Sequence, residues 1–374
     1  MIHSVSAFPV SYPEPNDHGR ARSVCLVRIR DRDGRDGWGE ATTYFPEASV
    51  AVAALVEALA PQLVGGDPRR IETLMAGLYA HTWWYGTGGA GLAGFALSGI
   101  DVALWDLKGQ ILGERVLDLL GGPAKDRLPA VASSHATGSD ITEMTAEIAA
   151  WLESGLTGIK VGFGKLGDAR LGYEHDRDVE FVRTLREAVG PDKRIMIDIG
   201  VRNRWAVAEA VRRVRAFEEY GIDWIEEPLG YDDPDGYLQL RRATSTAIAY
   251  GEREWSAAGV ARILATGTVD VVGLDPGRIG GVTGFARACD LIEIAHRQGN
   301  AHAWSTAIDT AASLAISWAK PVCRQLEEQP HKGPMQDDLI GGAIVHHDGY
   351  MRQPQGPGLG ITVDEAVVRH HLIQ

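Results

Sequence analysis

Only three cysteines, Cys25, Cys289 and Cys323, occur among 374 residues, and they stand far apart. Few, odd in number and scattered, they suggest neither a disulfide framework nor a zinc cluster. No basic run interrupts a composition whose net charge is −13, so nucleic acid and anionic membrane surfaces are poor partners. A small anionic substrate stays open, because a bound metal and a few local cations can dominate the field of one site. Neither a basic-then-apolar leader nor an apolar run long enough to span a bilayer occurs. A soluble, cytoplasmic setting is therefore expected.

What the chain does have is a repeated design. Ile195-Met196-Ile197-Asp198 is a short apolar run ending in a carboxylate, and Trp224-Ile225-Glu226-Glu227-Pro228 and Ala247-Ile248-Ala249-Tyr250-Gly251-Glu252 repeat it. Such runs suit strands buried on both faces. The acids lie 28 and 26 residues apart, about one strand-loop-helix-loop unit of a parallel barrel. Single acids at strand ends often cap the next helix. Three in register instead converge on one rim, where their repulsion is relieved by a hard divalent ion such as Mg²⁺, bound through oxygen alone.

The length allows a barrel of about 250 residues with roughly 120 left over. Ile2 to Ala41 reads as strands and turns, with Ser23 to Arg30 a strand and Asp33-Gly34 the turn of a hairpin. Between the first two strands, Tyr12 to Gly19 is polar and turn-rich and is expected to be a mobile surface loop or lid. Helical patterns follow at Val50 to Leu59 and Ala93 to Leu107, separated by a glycine cluster over 86–91. Leu120-Gly121-Gly122-Pro123 marks the expected boundary between an α+β domain over 1–122 and a barrel over 123–345. A tail over 346–374 is expected to return to the first domain.

Eight barrel strands are expected, beginning at Leu128, Gly158, Ile195, Trp224, Ala247, Val269, Gly299 and Val322. Barrel chemistry sits at the C-terminal ends of strands. Lys160 is assigned there on the second strand, with Asp275, His302 and Glu327 on the sixth, seventh and eighth. With Asp198, Glu226 and Glu252 on the third to fifth, Lys160 and His302 would approach a bound molecule from two sides. An Asp beside a His fixes the imidazole tautomer, a Lys near a divalent cation has its pKa lowered toward use as a base, and a protonated Glu327 can donate to an oxyanion.

These residues, with Arg278-Ile279-Gly280-Gly281-Val282-Thr283-Gly284 and the closing Gly356-Pro357-Gly358-Leu359-Gly360, carry a resemblance. The chain resembles the enolase superfamily, and within it the mandelate racemase subgroup, over nearly its whole length. The resemblance implies an α+β capping domain over a modified TIM barrel, (β/α)₇β, whose eighth helix is missing or replaced. It further implies that Asp198, Glu226 and Glu252 bind Mg²⁺, that Asp275 and His302 form a dyad, and that Glu327 assists enolate stabilisation. The subgroup usually carries two lysines one residue apart on the second strand; here Lys160 is taken as the second and Gly158 stands in place of the first. Gly200 departs as well, where many relatives have Asn.

Arg253 is a candidate substrate contact and Arg278 a support for the ligands. Tyr12, His18, Tyr44 and Trp83, with Trp84 and Tyr85, fall in segments that enclose substrate in the family. The expected activity is Mg²⁺-dependent removal of the proton α to a carboxylate, with dehydration of an acid sugar as its outcome. Racemisation or cycloisomerisation is the alternative, and a metal-bound scaffold without catalysis is the reading from another class. A homo-oligomer is the default expectation for an enzyme of this size.

Overall fold

A computed structural model describes residues 1–85, 90–165, 167–200, 203–302 and 304–374. Of the glycine cluster over 86–91, residues 86–89 lie outside the described residues.

Strands β1 (Ile2–Glu14), β2 (Arg20–Asp31) and β3 (Asp36–Tyr44) form an antiparallel sheet in that order. Alternation gives β2 one face of Cys25, Val27 and Ile29, which packs with Val52, Val56 and Leu59 of α1 (Pro46–Leu63) and Ile100 and Leu104 of α3 (Gly91–Leu112). Between these helices lies α2 (Ile71–His81), and a single turn, α4 (Val116–Leu119), leads toward the barrel.

The expected loop over Tyr12 to Gly19 is shorter than its composition suggests. Tyr12 pairs with Arg22 and Glu14 with Arg20, so the hairpin runs on until a tight turn at Pro15–Asp17. That turn is pinned rather than loose: the buried Asn16 donates from Nδ2 to the His331 carbonyl and accepts from the His331 N–H, both at 2.9 Å. This carries Asp17 to Arg22 over the barrel mouth.

Eight parallel strands then close the barrel. In chain order they are β4 (Ala130–His135), β5 (Gly158–Gly162), β6 (Arg194–Asp198), β7 (Trp224–Glu226), β8 (Ala247–Tyr250), β9 (Val271–Leu274), β10 (Gln298–Ala301) and β11 (Cys323–Glu328). Seven helices link them: α5 (Ile141–Leu152), α6 (His175–Val189), α7 (Val207–Glu218), α8 (Pro234–Ala243), α9 (Ala257–Ala265), α10 (Gly281–Ile294) and α11 (Ala307–Ala319). Where an eighth barrel helix would follow β11, the described residues make a 3₁₀ turn at Asp338–Ile340 and the small hairpin of β12 (His346–His347) and β13 (Tyr350–Met351). The architecture is therefore the expected (β/α)₇β barrel beneath an antiparallel sheet domain.

Strand alternation sorts the barrel residues. Ile159, Val161, Ile195, Ile197, Ile225 and Ile248 face the helices and join the main apolar core. Inside, Val131, Met196, Trp224, Ala249 and Val271 form a smaller cluster. A polar column runs beside it. Arg194 bonds Gln325, Gln325 Nε2 donates to Asn300 Oδ1 at 3.3 Å, and Asn300 Nδ2 donates to Glu327 Oε1 at 2.6 Å. Within this column the buried amides of Asn300 and Gln325 are partnered, while Glu327 Oε2 is left without a hydrogen bond.

The C-terminal helix α12 (Glu365–His370) lies against β1, where the Ser11 N–H donates to the His371 carbonyl and Ile373 N–H to the Pro9 carbonyl. No helix among the described residues is long and apolar enough to cross a membrane.

Candidate active site

Asp198 and Glu226 end adjacent strands in direct register. Glu252 reaches the same rim differently: β8 stops at Tyr250, and Gly251, at φ 128°, turns the chain so that Glu252 faces the mouth. The Glu226 carboxyl is pushed well above the usual carboxylate range by burial and by Asp198, Glu327 and Glu252, with Lys160 opposing. Burial alone would also raise Glu252, but His302, Arg253, Arg278 and Lys160 together hold it down at about 2.

Lys160 departs from its expected place. It lies in the middle of β5, below the rim, with its Nζ 2.8 Å from Glu327 Oε1 and 3.2 Å from Glu226 Oε2. Burial works against its charge, yet Glu226, Glu327, Asp198 and Glu252 win and raise its pKa well above the ordinary value. With no cation among them, these carboxylates act in the direction opposite to the lowering expected of a Lys beside a divalent ion. The neighbouring position that matters is also not Gly158. A Cβ built on Gly158 meets Arg194 at the opposite end of the barrel, whereas Gly162 pairs in register with the rim acid Asp198.

Across the mouth stands the expected pair. His302 Nδ1 lies 3.0 Å from Asp275 Oδ2, and Asp275 Oδ1 accepts from the Gly277 N–H at 2.8 Å and Thr42 Oγ1 at 3.2 Å. An Asp so held fixes Nδ1 as the protonated nitrogen and turns Nε2 to the mouth, 3.6 Å from Glu252 Oε2. The capping sheet completes this wall through β3, whose alternate residues Glu40, Thr42 and Tyr44 share one face. Glu40 bonds Ser305 and Thr306, and the Tyr44 hydroxyl lies 3.4 Å from both His302 ring nitrogens.

The cleft over these groups has a volume of about 370 Å³, enough for a small organic acid. A hollow of about 420 Å³ between Lys332 and Gly342 is larger but is lined by none of the rim acids. Against the chain's net charge of −13, five cations line the cleft: Arg20, Arg22, Lys165, Arg253 and Arg278. Arg253 pairs with Glu227 at 2.6 Å and Glu252 at 3.5 Å, and Arg278 donates to the Glu252 carbonyl at 2.6 Å. Arg22 lies over the Tyr44 ring, 4.5 Å from its centroid.

The other candidates divide. Tyr44 lines the cleft, as do Arg253 and Arg278. Tyr12 does not: its ring is core, edge-on to His371. His18 is exposed on the turn above the mouth, and Trp83, Trp84 and Tyr85 are exposed on the capping domain, none of them lining the cleft. Sequence reading missed Lys165, Arg22, Trp304 and the role of His135, which stacks on Trp304 at 4.3 Å between ring centroids.

Asp198, Glu226 and Glu252 form an oxygen-only donor set of the kind a hard divalent cation takes. Among the described residues no three such groups already converge on one metal-sized point. Glu226 is turned to Lys160, and Glu252 to His302 and Arg253. The donor chemistry fits Mg²⁺.

Residues 143–367 match the family described as enolase C-terminal domain-like, and residues 17–121 match the mandelate racemase/muconate lactonizing enzyme N-terminal domain. The chain is 32% identical to the D-gluconate dehydratase of Thermoproteus tenax over 97% of this chain and 72% of that protein. It is 30% identical to the D-galactarolactone cycloisomerase of Agrobacterium fabrum, covering 92% and 89%. The crystal structure of an enolase from Bradyrhizobium complexed with magnesium and mandelic acid superposes with a TM-score of 0.86 at 27% identity, covering 100% of this chain and 98% of that one.

Proposed function

The chain belongs to the enolase superfamily, in its mandelate racemase and muconate lactonizing enzyme group, and from that premise we propose that it dehydrates an acid sugar, an aldonate or aldarate, to a 2-keto-3-deoxy acid. One observation carries the reading: Asp198, Glu226 and Glu252 share one barrel rim with the His302–Asp275 pair, His302 beside Glu252, under a cleft that is cationic in an acidic protein.

Asp198, Glu226 and Glu252 would hold one Mg²⁺. Bound there, the ion supplies positive charge to the substrate carboxylate while its α-carbon loses a proton. The chain's own groups do the rest. Arg20, Arg22, Arg253 and Arg278 attract and orient the acid. Lys160, fixed between Glu226 and Glu327, places a buried positive charge under the developing enolate. His302 Nε2, aimed by Asp275, moves a proton at the reacting carbons, and the capping-domain turn at Pro15–Asp17 keeps bulk water from that side.

Screening the purified protein with Mg²⁺ against mono- and diacid sugars, with detection of 2-keto product, tests this. A product that disappears in His302→Asn and in Glu226→Gln is the expected result. The similarity to a cycloisomerase favours one second reading, isomerisation of a sugar acid or its lactone. Deuterium uptake at the α-carbon without keto product would select it. Neither product nor exchange with any acid would leave only a metal-bound scaffold.

A further inference from the structure

Two glycines open a passage into the cleft. On β5 the inward positions are 158, 160 and 162, and the one at the rim carries no side chain. A Cβ built on Gly162 would fall 2.7 Å from Lys165 Cε and 2.3 Å from His135 Nδ1. On the next strand's exit, a Cβ on Gly200 would fall 2.9 Å from Lys165 Nζ. A side chain at either position would occupy the space through which Lys165, from the loop after β5, runs to the mouth.

Lys165 differs from the other cations there. Arg20 and Arg22 are tied to Asp17, Arg253 to Glu227, and Arg278 to the Glu252 carbonyl. Among the described residues Lys165 makes no hydrogen bond and no ion pair, although it is only partly exposed and lines the cleft. Beside it His135 Nδ1 is buried without a partner. In the closed strand order, the gap between β5 and β6 that Lys165 fills lies three to four strands from β10, whose exit carries His302. In an eight-stranded circle that is the far side of the mouth.

We propose that Lys165 is the catalytic residue that exchanges a proton on the substrate face opposite His302. The proposal rests on the α-proton chemistry above. In the dehydration, the neutral Lys165 amine takes the α-hydrogen as a proton, and the C–H electron pair becomes the new C=C bond. The β-carbon–oxygen bond breaks, and its oxygen takes a proton from the His302 imidazolium and leaves as water. The resulting enol gains a proton at carbon 3 from solvent and loses its hydroxyl proton, giving the 2-keto acid.

The test uses wild type, Lys165→Ala, Lys165→Met and Lys165→Arg on a substrate the wild type has been shown to turn over. Removing the amine is expected to lower kcat by about 10²–10⁴-fold, with substrate binding by calorimetry changed less than about threefold. Exogenous methylamine is expected to restore part of kcat in Lys165→Ala, which a structural or purely electrostatic lysine would not show. Lys165→Arg, still charged but a far weaker base, is expected to stay inactive. Lys165→Met keeps the stem that fills the passage and separates lost chemistry from lost packing. The proposal is overturned if Lys165→Ala keeps kcat within threefold, or if Lys165→Arg restores it while methylamine does not. A wild type that neither dehydrates nor exchanges any acid would instead sink the reading on which the proposal rests.

Discussion

The two walls of the mouth are held in opposite ways. Around His302, Asp275 is fixed by Gly277 and Thr42, while Glu40 joins Ser305 and Thr306 from the other domain. The His302 N–H itself donates to the Leu274 carbonyl at 2.7 Å. Among the described residues there is less of this around Lys165: glycines at 162, 164, 167 and 200, an amine without a bonded partner, and a histidine nitrogen without one. A group held by a network has one tautomer and one position. An amine on a four-carbon stem in a space left by glycines can follow substrates of different shape. Differences in stereochemistry among substrates are therefore expected to be read on the Lys165 wall, with the His302 wall a constant.

Breaking the ordered wall at its centre should have the largest effect. His302→Asn is expected to lower kcat by about 10³–10⁴-fold with little change in KM, since it removes the proton and leaves the cations that bind the acid. A loss below tenfold would place the proton-moving group elsewhere. Asp275→Asn comes next, at about 10²–10³-fold, because an amide can donate to Nδ1 and leave the imidazole in the wrong tautomer. Nuclear magnetic resonance of the ring nitrogens reads that tautomer directly. An unchanged tautomer with lost activity would mean that Asp275 acts by another route.

Breaking the joint between the domains should cost less. Burial first of all raises the Glu40 carboxyl from 4.5 to about 7, against the hydrogen bonds from Ser305 and Thr306. A folded pKa above the unfolded one means that the stability this group gives is complete below about pH 4.5 and lost as pH rises through about 7. Glu40→Gln keeps an acceptor for both hydroxyls and removes the titration. Between pH 5 and 8, in chelator, the variant should therefore gain on wild type by at most about 3 kcal/mol in urea unfolding. Parallel pH curves for the two proteins would show that Glu40 does not titrate in the folded state.

The two walls also differ in how far sequence discloses them. The barrel was legible because its strands are buried on both faces and its helices repeat one apolar stripe, which fixes spacing and register. Asp198, Glu226, Asp275, His302 and Glu327 inherit their places from that register. Lys160 inherits its direction but not its depth: one residue pair along a strand separates the floor from the rim, and no apolar pattern marks that difference. Lys165 was invisible for another reason. Its place depends on the turn after β5 and on Gly200 of the next unit, so its signal is a joint absence of side chains at 162 and 200, which no window along one segment contains. The pinning of Asn16 to His331 likewise joins residues 315 apart.

The finest distinction between the walls lies at Tyr44. Its hydroxyl is 3.4 Å from both His302 nitrogens, at the outer limit of a useful hydrogen bond and aimed at neither. The ring does more: it meets His302 edge-on at 6.3 Å and carries Arg22 at 4.5 Å from its centroid. Phenylalanine keeps both ring contacts, so Tyr44→Phe is expected to change kcat less than about threefold, whereas Tyr44→Ala removes one of the surfaces that position Arg22 and should raise KM further. A tenfold fall in kcat for Tyr44→Phe would mean that the hydroxyl meets the substrate itself. The His302 wall would then hold a second proton donor, and its difference from the Lys165 wall would be one of number as well as rigidity.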